Sequence, residues 1–237
     1  MDVKGIQYLS MRLNQALETN QYAYKCFGNK FYHMVEKITN WKIRIVSLFR
    51  ANYGGSFYMR EMAKMLGTTH VTLIPHLRDL TKDKMLVSKL NGRSRGYSLN
   101  LDNILAKDYV IIAEKFQTNE YLEKTFLMRR IYVEIFKISL EGSVVLFGSY
   151  VKGYKTEESD IDMLYLGDID ETLMEQMRGA GRLYGKQINV KKTRLKAFEA
   201  GLRSGDALVK EVVKDHIILQ DPDLFVNAVW RYYAKAR

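Results

Sequence analysis

The sequence contains little of what stabilises small secreted domains or spans membranes. Cys26 is the single cysteine among 237 residues, which excludes an intrachain disulfide. A lone thiol fits a reducing compartment and also fits simple avoidance of cysteine, and we interpret it as packed, not catalytic. No run of 18 or more apolar residues occurs, and the N-terminus lacks a basic stretch followed by an apolar block. We therefore expect a cytoplasmic protein with no membrane partner.

Proline is almost as scarce, with two residues in the chain, whereas 47% of the residues are hydrophobic. This composition favours a folded, helix-rich protein, and the length suits two modest domains. An aromatic cluster in the first 40 residues most simply packs in a core or an interface, with base stacking as the less favoured alternative. Its members are Tyr22, Tyr24, Phe27, Phe31 and Tyr32.

The excess positive charge is confined to one part of the chain. The net charge is +10, and residues 1–100 contain 16 Lys and Arg against 6 Asp and Glu. Residues 101–237 contain 21 of each sign, so the whole excess lies in the first part. A localised positive field attracts polyanions, which makes nucleic acid the first candidate partner.

The most informative motif joins a glycine-serine turn to two carboxylates. The apolar run 144–147 predicts a buried strand, after which Gly148 lets the backbone approach a ligand and Ser149 offers a hydroxyl and an amide. After ten more residues, Asp160 and Asp162 stand two apart on a second strand, so their side chains project together. Two adjacent like charges favour a bound cation, and hard oxygen ligands beside a triphosphate suit Mg²⁺. The alternative is a solvated pair at a strand edge beside an ordinary turn.

This motif resembles that of the DNA polymerase beta nucleotidyltransferase superfamily, and within it the minimal nucleotidyltransferases, over roughly residues 140–219. The resemblance implies that Gly148 and Ser149 hold the triphosphate, ATP by preference, while Asp160 and Asp162 bind Mg²⁺ and are catalytic. Two metal ions would clamp an in-line displacement. We also expect Lys152 to contribute to nucleotide binding, although a basic residue on an exposed turn is more often merely solvated.

The family pattern includes a third carboxylate, which orients or deprotonates the acceptor hydroxyl. The strand 187–190 places Asn189 at that position, and an amide neither acts as a base nor adds charge for a second metal. Many winged-helix nucleotidyltransferase-like proteins resemble this segment, which here comprises residues 185–189, Phe198 and Gly205-Asp206. We expect transfer activity, with nucleotide binding without efficient turnover as the alternative.

Residues 42–101 show a second pattern. Gly67 separates two helices, Thr68 or Thr69 can cap the later one, and Pro75 requires that helix to start near Thr72 or to bend. We predict a first helix ending at 52–55, a strand at 56–58, helices at 59–66 and up to about 82, and strands at 85–90 and 97–99 around a turn at 91–96.

The third of these helices has an apolar face that we expect to point inward: Val71, Leu73, Ile74, Leu77 and Leu80. The segment resembles the winged helix-turn-helix domains of archaeal and bacterial transcription regulators. The resemblance implies that this helix enters the major groove of double-stranded DNA, with Arg93 and Arg95 at the tip of the wing. The candidate DNA contacts are Thr69, His70, Thr72, His76, Arg78, Arg93 and Arg95. A plain protein-interaction module is the alternative.

Two further helices are predicted at 101–117 and 120–138, broken near Thr118-Asn119, with an apolar stripe that serves as a packing or homodimer face. A terminal helix is predicted at 224–233. The expected fold class is α+β, with an N-terminal winged helix-turn-helix domain, a helical linker and a C-terminal nucleotidyltransferase α/β domain. The boundaries are 1–40 for a helical or aromatic extension, 41–101 for the winged helix, 102–139 for a helical linker or dimerisation region, and 140–237 for the nucleotidyltransferase-like domain.

Three functions stay open at this point. The first is a DNA-binding protein with a Mg²⁺-dependent nucleotidyltransferase that modifies an unknown acceptor. The second is a transcription regulator whose second domain only senses a nucleotide, which Asn189 would allow. The third is a minimal nucleotidyltransferase antitoxin that neutralises a toxin partner.

Overall fold

The structure is a computed structural model that describes residues 40–138 and 140–236. Cys26, the aromatic cluster and the extension over residues 1–39 lie outside these described residues. Residues 41–237 cluster into one compact unit. None of the helices in the described part of the chain is both long enough and apolar enough to cross a bilayer.

The first half of this unit combines three helices with a three-stranded antiparallel sheet in the order β1-β3-β2. Its elements are α1 Asn40–Ser47, β1 Ser56–Tyr58, α2 Met59–Met65, α3 His70–Lys82, β2 Leu86–Asn91 and β3 Ser94–Leu99. Gly67, with a φ of 61°, turns the chain between α2 and α3. The chain thus runs helix, strand, helix, helix and hairpin.

Helix α3 begins at His70, so of the two alternatives that Pro75 left open, a start near Thr72 and a bend in the helix, the first is wrong. The Thr69 side chain accepts a hydrogen bond from the Thr72 amide and caps the helix there. Pro75 consequently lies inside the helix, where it removes one backbone donor. The prediction that the side chains of Val71 and Ile74 point toward the core is also wrong, since these residues are 62% and 39% exposed. The buried stripe contains Leu73, Leu77 and Leu80, whose spacing keeps one face toward the core.

The hairpin of β2 and β3 is tighter than the sequence suggested. Asn91 pairs with Ser94, which leaves Gly92 and Arg93 as a two-residue turn with a φ of 60° at Gly92. Arg93 is therefore at the tip, whereas Arg95 lies within β3 opposite Leu90. The expectation of both arginines at the tip is wrong because the strands extend to the turn.

Helix α4 spans Ile104–Lys124 and α5 spans Phe126–Phe136. The expected break at Thr118-Asn119 is wrong, since α4 continues through it and ends before Thr125. The buried Thr118 hydroxyl lies 3.1 Å from the Glu114 carbonyl one turn earlier, so it bonds within the helix without ending it. It also lies 2.9 Å from the Ile218 carbonyl, which attaches α4 to the second sheet.

The second half of the unit contains a four-stranded sheet in the order β6-β5-β4-β7, in which only β5 and β6 are parallel. Its strands are β4 Ser143–Phe147, β5 Ile161–Leu166, β6 Ile188–Thr193 and β7 Ile217–Gln220. Its helices are α6 Ser149–Lys152, α7 Glu171–Arg182, α8 Leu195–Ser204, α9 Ala207–Lys214 and α10 Pro222–Lys235. The described chain is thus a mixed α+β fold.

The two faces of this sheet belong to different parts of the core. Leu146 and Met163 face a cluster that includes residues of α5 and α7. Phe147 and Leu164 belong to a cluster that also contains residues of α1, α3, α8 and α10. Helix α10 is tied to the first half as well, because the indole nitrogen of Trp230 donates to the Leu101 carbonyl at 3.1 Å. One core therefore continues across both sheets.

Candidate functional site

The turn after β4 is shaped by one glycine. Every residue of β4 is buried, and Gly148 follows it with φ 74° and ψ −150°, a conformation that residues with a Cβ rarely adopt. The short helix α6 then begins at Ser149, which is partly exposed. The Tyr121 hydroxyl donates to the Tyr150 carbonyl at 3.2 Å and so holds α6 against α4.

The two carboxylates expected on one face do lie on the same side of β5. Ile161 and Met163 are fully buried, while Asp160 and Asp162 are partly exposed on the opposite side. Asp162 on β5 pairs with Phe147, the last residue of β4, and Phe147 directly precedes Gly148. The antiparallel pairing of β4 and β5 therefore brings the second carboxylate to the glycine turn.

Gly148 and Asp162 are close enough that no other residue fits at the turn without rearrangement. A Cβ added to Gly148 would lie 2.6 Å from Oδ2 of Asp162. The backbone of the turn thus approaches one carboxylate oxygen at a distance that a side chain would block.

Asn189 enters the same site from the neighbouring strand. It is paired in register with Asp162 through the parallel β5–β6 ladder. Its Nδ2 lies 3.2 Å from Oδ2 of Asp160 and 3.5 Å from Oδ1 of Asp162, so one amide faces both carboxylates. Gln187 donates from Nε2 to Oδ1 of Asn189 at 3.0 Å and orients that amide.

Gln187 is a residue of this site that the sequence analysis did not single out. It stands two residues before Asn189, so a strand alternation would place both on one side. That spacing was the available signal, but only the hydrogen bond assigns Gln187 a partner. A pocket of about 550 Å³ opens next to both residues. Its other lining residues are Arg178, Arg182, Gly185, Lys186, Ile188 and Val190.

Lys152 lies on the last residue of α6 and forms an ion pair with α9. Its Nζ is 2.6 Å from Oε1 of Glu211, with both side chains partly exposed. This hydrogen bond is the main reason that the pKa of Lys152 is raised, so the side chain stays charged. In the described conformation its charge is directed to Glu211.

The donor set of the site suits one hard cation. Asp160 and Asp162 supply carboxylate oxygens next to a turn that a phosphate can approach. Within residues 40–138 and 140–236, no group of three or more His, Cys, Asp or Glu side chains is arranged to hold a metal ion. Asn189 contacts both carboxylates at the position where the family resemblance implies a third acidic side chain.

The residues expected to contact DNA are divided between α3 and the hairpin. His70 and Arg78 are exposed, but the hydroxyls of Thr69 and Thr72 lie 3.0 Å apart at the helix start and bond each other. His76 is only partly exposed, and its pKa is lowered by burial and then by the Lys42 charge. On the hairpin, Arg93 and Arg95 are both exposed.

Comparison with known proteins adds three findings. Residues 127–219 match the family described as the nucleotidyltransferase domain. A Methanocaldococcus jannaschii protein with the provisional name protein adenylyltransferase is 63% identical over 27 residues, which are 11% of this chain and 27% of that protein. The match thus spans about a quarter of the relative's length. A solved structure, described as a toxin-antitoxin with AMP-PNP, aligns with 45% of this chain and 83% of its own at 16% identity and a TM-score of 0.33.

The family match covers the whole of the site described above. It begins in α5 and extends into β7, so the Gly148 turn, both carboxylates and Asn189 lie inside it. The nucleotidyltransferase part of the expected fold is confirmed, with the matched range starting in α5 instead of at the first strand. Residues 127–219 of this chain are a nucleotidyltransferase domain.

Proposed function

We propose that the protein transfers a nucleotidyl group from a nucleoside triphosphate, ATP by preference, to an acceptor hydroxyl in a Mg²⁺-dependent reaction. The observation that carries the proposal is the meeting of Asp160 and Asp162 on one strand face beside the Gly148 turn. The acceptor oxygen forms a bond to the α-phosphorus, pyrophosphate leaves, and the hydroxyl proton is released. Positioning and charge neutralisation are the protein's main contributions to such a displacement.

Each residue of the site has a distinct task in this proposal. Gly148 lets the triphosphate approach the backbone, and Ser149 presents its hydroxyl at the first residue of α6. Asp160 and Asp162 would hold the Mg²⁺, which when bound neutralises phosphate charge. Lys152 can serve the phosphates only by leaving Glu211, since the two are paired at 2.6 Å.

The acceptor is best sought among proteins. The relative matched over 27 residues carries the name protein adenylyltransferase, which supports a protein hydroxyl as acceptor here. The pocket is lined by Asn189, whose amide contacts both carboxylates, and in this proposal it provides a route for an acceptor side chain. In this proposal the pocket receives the acceptor while the Gly148 turn receives the nucleotide.

The test is a panel of ATP, GTP, CTP and UTP labelled at the α-phosphate, incubated with the protein, Mg²⁺ and cell extract. We expect label from ATP to enter material that protease destroys and nuclease leaves intact. Label that nuclease removes would indicate an RNA acceptor and overturn the protein assignment. No transfer from any nucleotide, together with nucleotide binding, would favour a domain that senses nucleotides, the function that Asn189 supports as the alternative.

We further propose that residues 41–101 form a winged helix that binds double-stranded DNA. Support comes from the order of helix, strand, helix, helix and hairpin, which is the order of winged helix-turn-helix domains. Residues 40–100 contain 11 Lys and Arg against 3 Asp and Glu. Most of these cations are exposed and available to phosphates. They are Arg60, Lys64, Arg78, Lys82, Lys84, Lys89, Arg93 and Arg95.

In this proposal α3 faces the major groove and the hairpin reaches the adjacent backbone. His70 and Arg78 supply polar contacts, and the exposed Val71 and Ile74 supply apolar surface of the kind that contacts thymine methyl groups. Equilibrium binding to random double-stranded fragments across a range of salt concentrations tests the proposal. Affinity should fall steeply with salt, and absence of binding at low salt would leave the segment as a protein-interaction module.

A further inference from the structure

We infer that the carboxylate site holds a single divalent cation together with its nucleotide, because the Asn189 amide occupies the side of the site from which a second cation would be bound. The inference rests on the proposed nucleotidyltransferase function and defines its metal requirement. It is carried by the way the two oxygens of Asp162 are divided between different neighbours.

Asp162 presents one oxygen to each side of the site. Its Oδ2 faces Gly148, close enough that a Cβ there would be 2.6 Å away. Its Oδ1 faces Asn189, with Nδ2 at 3.5 Å. The cation that accompanies a triphosphate at the Gly148 turn therefore has Oδ2 available as a ligand. The oxygen on the other side is already directed to an amide donor.

Asp160 also directs one carboxylate oxygen to Asn189. Its Oδ2 accepts from Nδ2 of Asn189 at 3.2 Å, so the amide lies between the two carboxylates. An amide N–H can neutralise part of a carboxylate charge but cannot ligate a cation. Gln187 holds this orientation by donating to Oδ1 of Asn189 at 3.0 Å, which keeps the oxygen of that amide turned toward Gln187.

The acidic side chains of the site indicate the same stoichiometry. Asp160 and Asp162 are the two carboxylates that face Asn189, and a paired-metal site adds a second ion about 3.5–4 Å from the first. Asn189 contributes no charge and its Oδ1 is directed to Gln187, so a second cation would find neither a carboxylate nor a side-chain oxygen turned toward it at this position of β6. The amide instead supplies the polar contact that a second cation would otherwise make.

The experiment counts bound Mn²⁺ by equilibrium dialysis, with a non-hydrolysable ATP analogue at equal concentration on both sides of the membrane. Electron paramagnetic resonance of the same samples distinguishes an isolated Mn²⁺ from a magnetically coupled pair. We expect one isolated Mn²⁺ per wild-type chain. Asn189→Asp should bind two Mn²⁺ that are coupled. Thr193→Asp, which adds the same charge four residues further along β6, should still bind one.

The outcomes separate this inference from the function on which it rests. Two coupled ions in the wild type would overturn the single-cation site and leave nucleotidyl transfer intact. One ion in both wild type and Asn189→Asp would show that Asn189 is not what excludes the second. No Mn²⁺ bound with the nucleotide in the wild type would refute the proposed function itself. If thermal unfolding shows that the Asn189→Asp variant is not folded, the number of Mn²⁺ ions bound per wild-type chain still decides between one cation and two.

Discussion

Arg50 and Glu114 form an ion pair that joins the turn after α1 to the long helix α4. Nη2 of Arg50 lies 2.6 Å from Oε2 of Glu114, whose side chain is fully buried. The pair extends to the nucleotidyltransferase domain, because His216 lies 3.2 Å from the other Glu114 oxygen and its carbonyl accepts from Arg50 at 2.9 Å. Three segments far apart in sequence are thus linked through one carboxylate.

Glu114→Gln should destabilise the protein strongly. The substitution keeps the shape of the side chain but leaves the Arg50 charge without a counter-ion, and breaking a buried pair typically costs about 3–5 kcal/mol. Urea unfolding measures the change. Glu123→Gln is the control, since it changes an exposed carboxylate on the same helix and should cost less than about 1 kcal/mol. Equal losses in both variants would show that the network contributes no more than a surface contact.

The same carboxylate should make stability depend on acid pH. Burial alone would raise the pKa of Glu114, but Arg50 and His216 outweigh it and lower the pKa to about 2. A lowered folded-state pKa stabilises the protein above the unfolded value near 4.5, and this stabilisation is lost as pH falls toward about 2. The difference in unfolding free energy between wild type and Glu114→Gln should therefore shrink below about pH 4.5. A constant difference down to about pH 2 would contradict this assignment.

Gly148→Ala should abolish nucleotide binding, and Gly153→Ala provides a control at the other end of α6. Gly153 is left-handed helical, where an alanine costs about 1–2 kcal/mol of backbone strain, whereas Gly148, with ψ −150°, lies in a region that is essentially restricted to glycine. Only at Gly148 does the added Cβ collide with Asp162, whereas at Gly153 it meets nothing within 4 Å. Calorimetry with an ATP analogue and Mg²⁺ should detect binding in the Gly153 variant alone. Equal binding by both variants would remove Gly148 from the nucleotide site.

The double variant Asp160→Ala, Asp162→Ala should lose nucleotidyl transfer while DNA binding stays intact. Loss of the cation site removes several kcal/mol of transition-state stabilisation, which corresponds to about a thousandfold or more in rate. Labelled-nucleotide transfer and DNA titration on the same preparation give both readouts. Asp168→Ala is the control, because that carboxylate is 82% exposed and pairs with Arg194. Parallel loss of both activities would refute the separation of the two functions.

Replacing Arg93 and Arg95 with alanine should weaken DNA binding and flatten its salt dependence. Each lost phosphate contact lowers the slope of log affinity against log salt by about 0.9, so the double variant should lose about 2. The tip residue Arg93 should contribute independently of Arg95, which lies in β3. Lys196→Ala, at an exposed position of α8, is the control. An unchanged slope would place the hairpin outside the DNA interface.

Local sequence signals sufficed for much of the site. The apolar run before Gly148 predicted β4, and the two-residue spacing of Asp160 and Asp162 placed both carboxylates on one strand face. Alternation along a single strand depends on neighbouring residues alone, so it can be read without the fold. The same is true of the Thr69 cap, which was one of the two expected alternatives.

Local signals failed where a distant contact decides the outcome. Thr118 lies inside an unbroken α4, where its hydroxyl is close to the Glu114 carbonyl of the same helix and to the Ile218 carbonyl of β7. Val71 is apolar, as core residues usually are, but its side chain is exposed. The buried face of α3 is the one that carries Leu73 and Leu77. Helical periodicity gave several possible faces, and packing selected one.

The sequence by itself determined the site's chemistry: a glycine turn, two carboxylates at strand spacing and an amide where a third acid is expected. Only the tertiary structure decided that the Asn189 amide lies between the carboxylates, that Lys152 pairs with Glu211, and that Gly148 approaches Asp162. These contacts depend on strand register and helix docking, which long-range burial selects and which no short stretch of residues encodes.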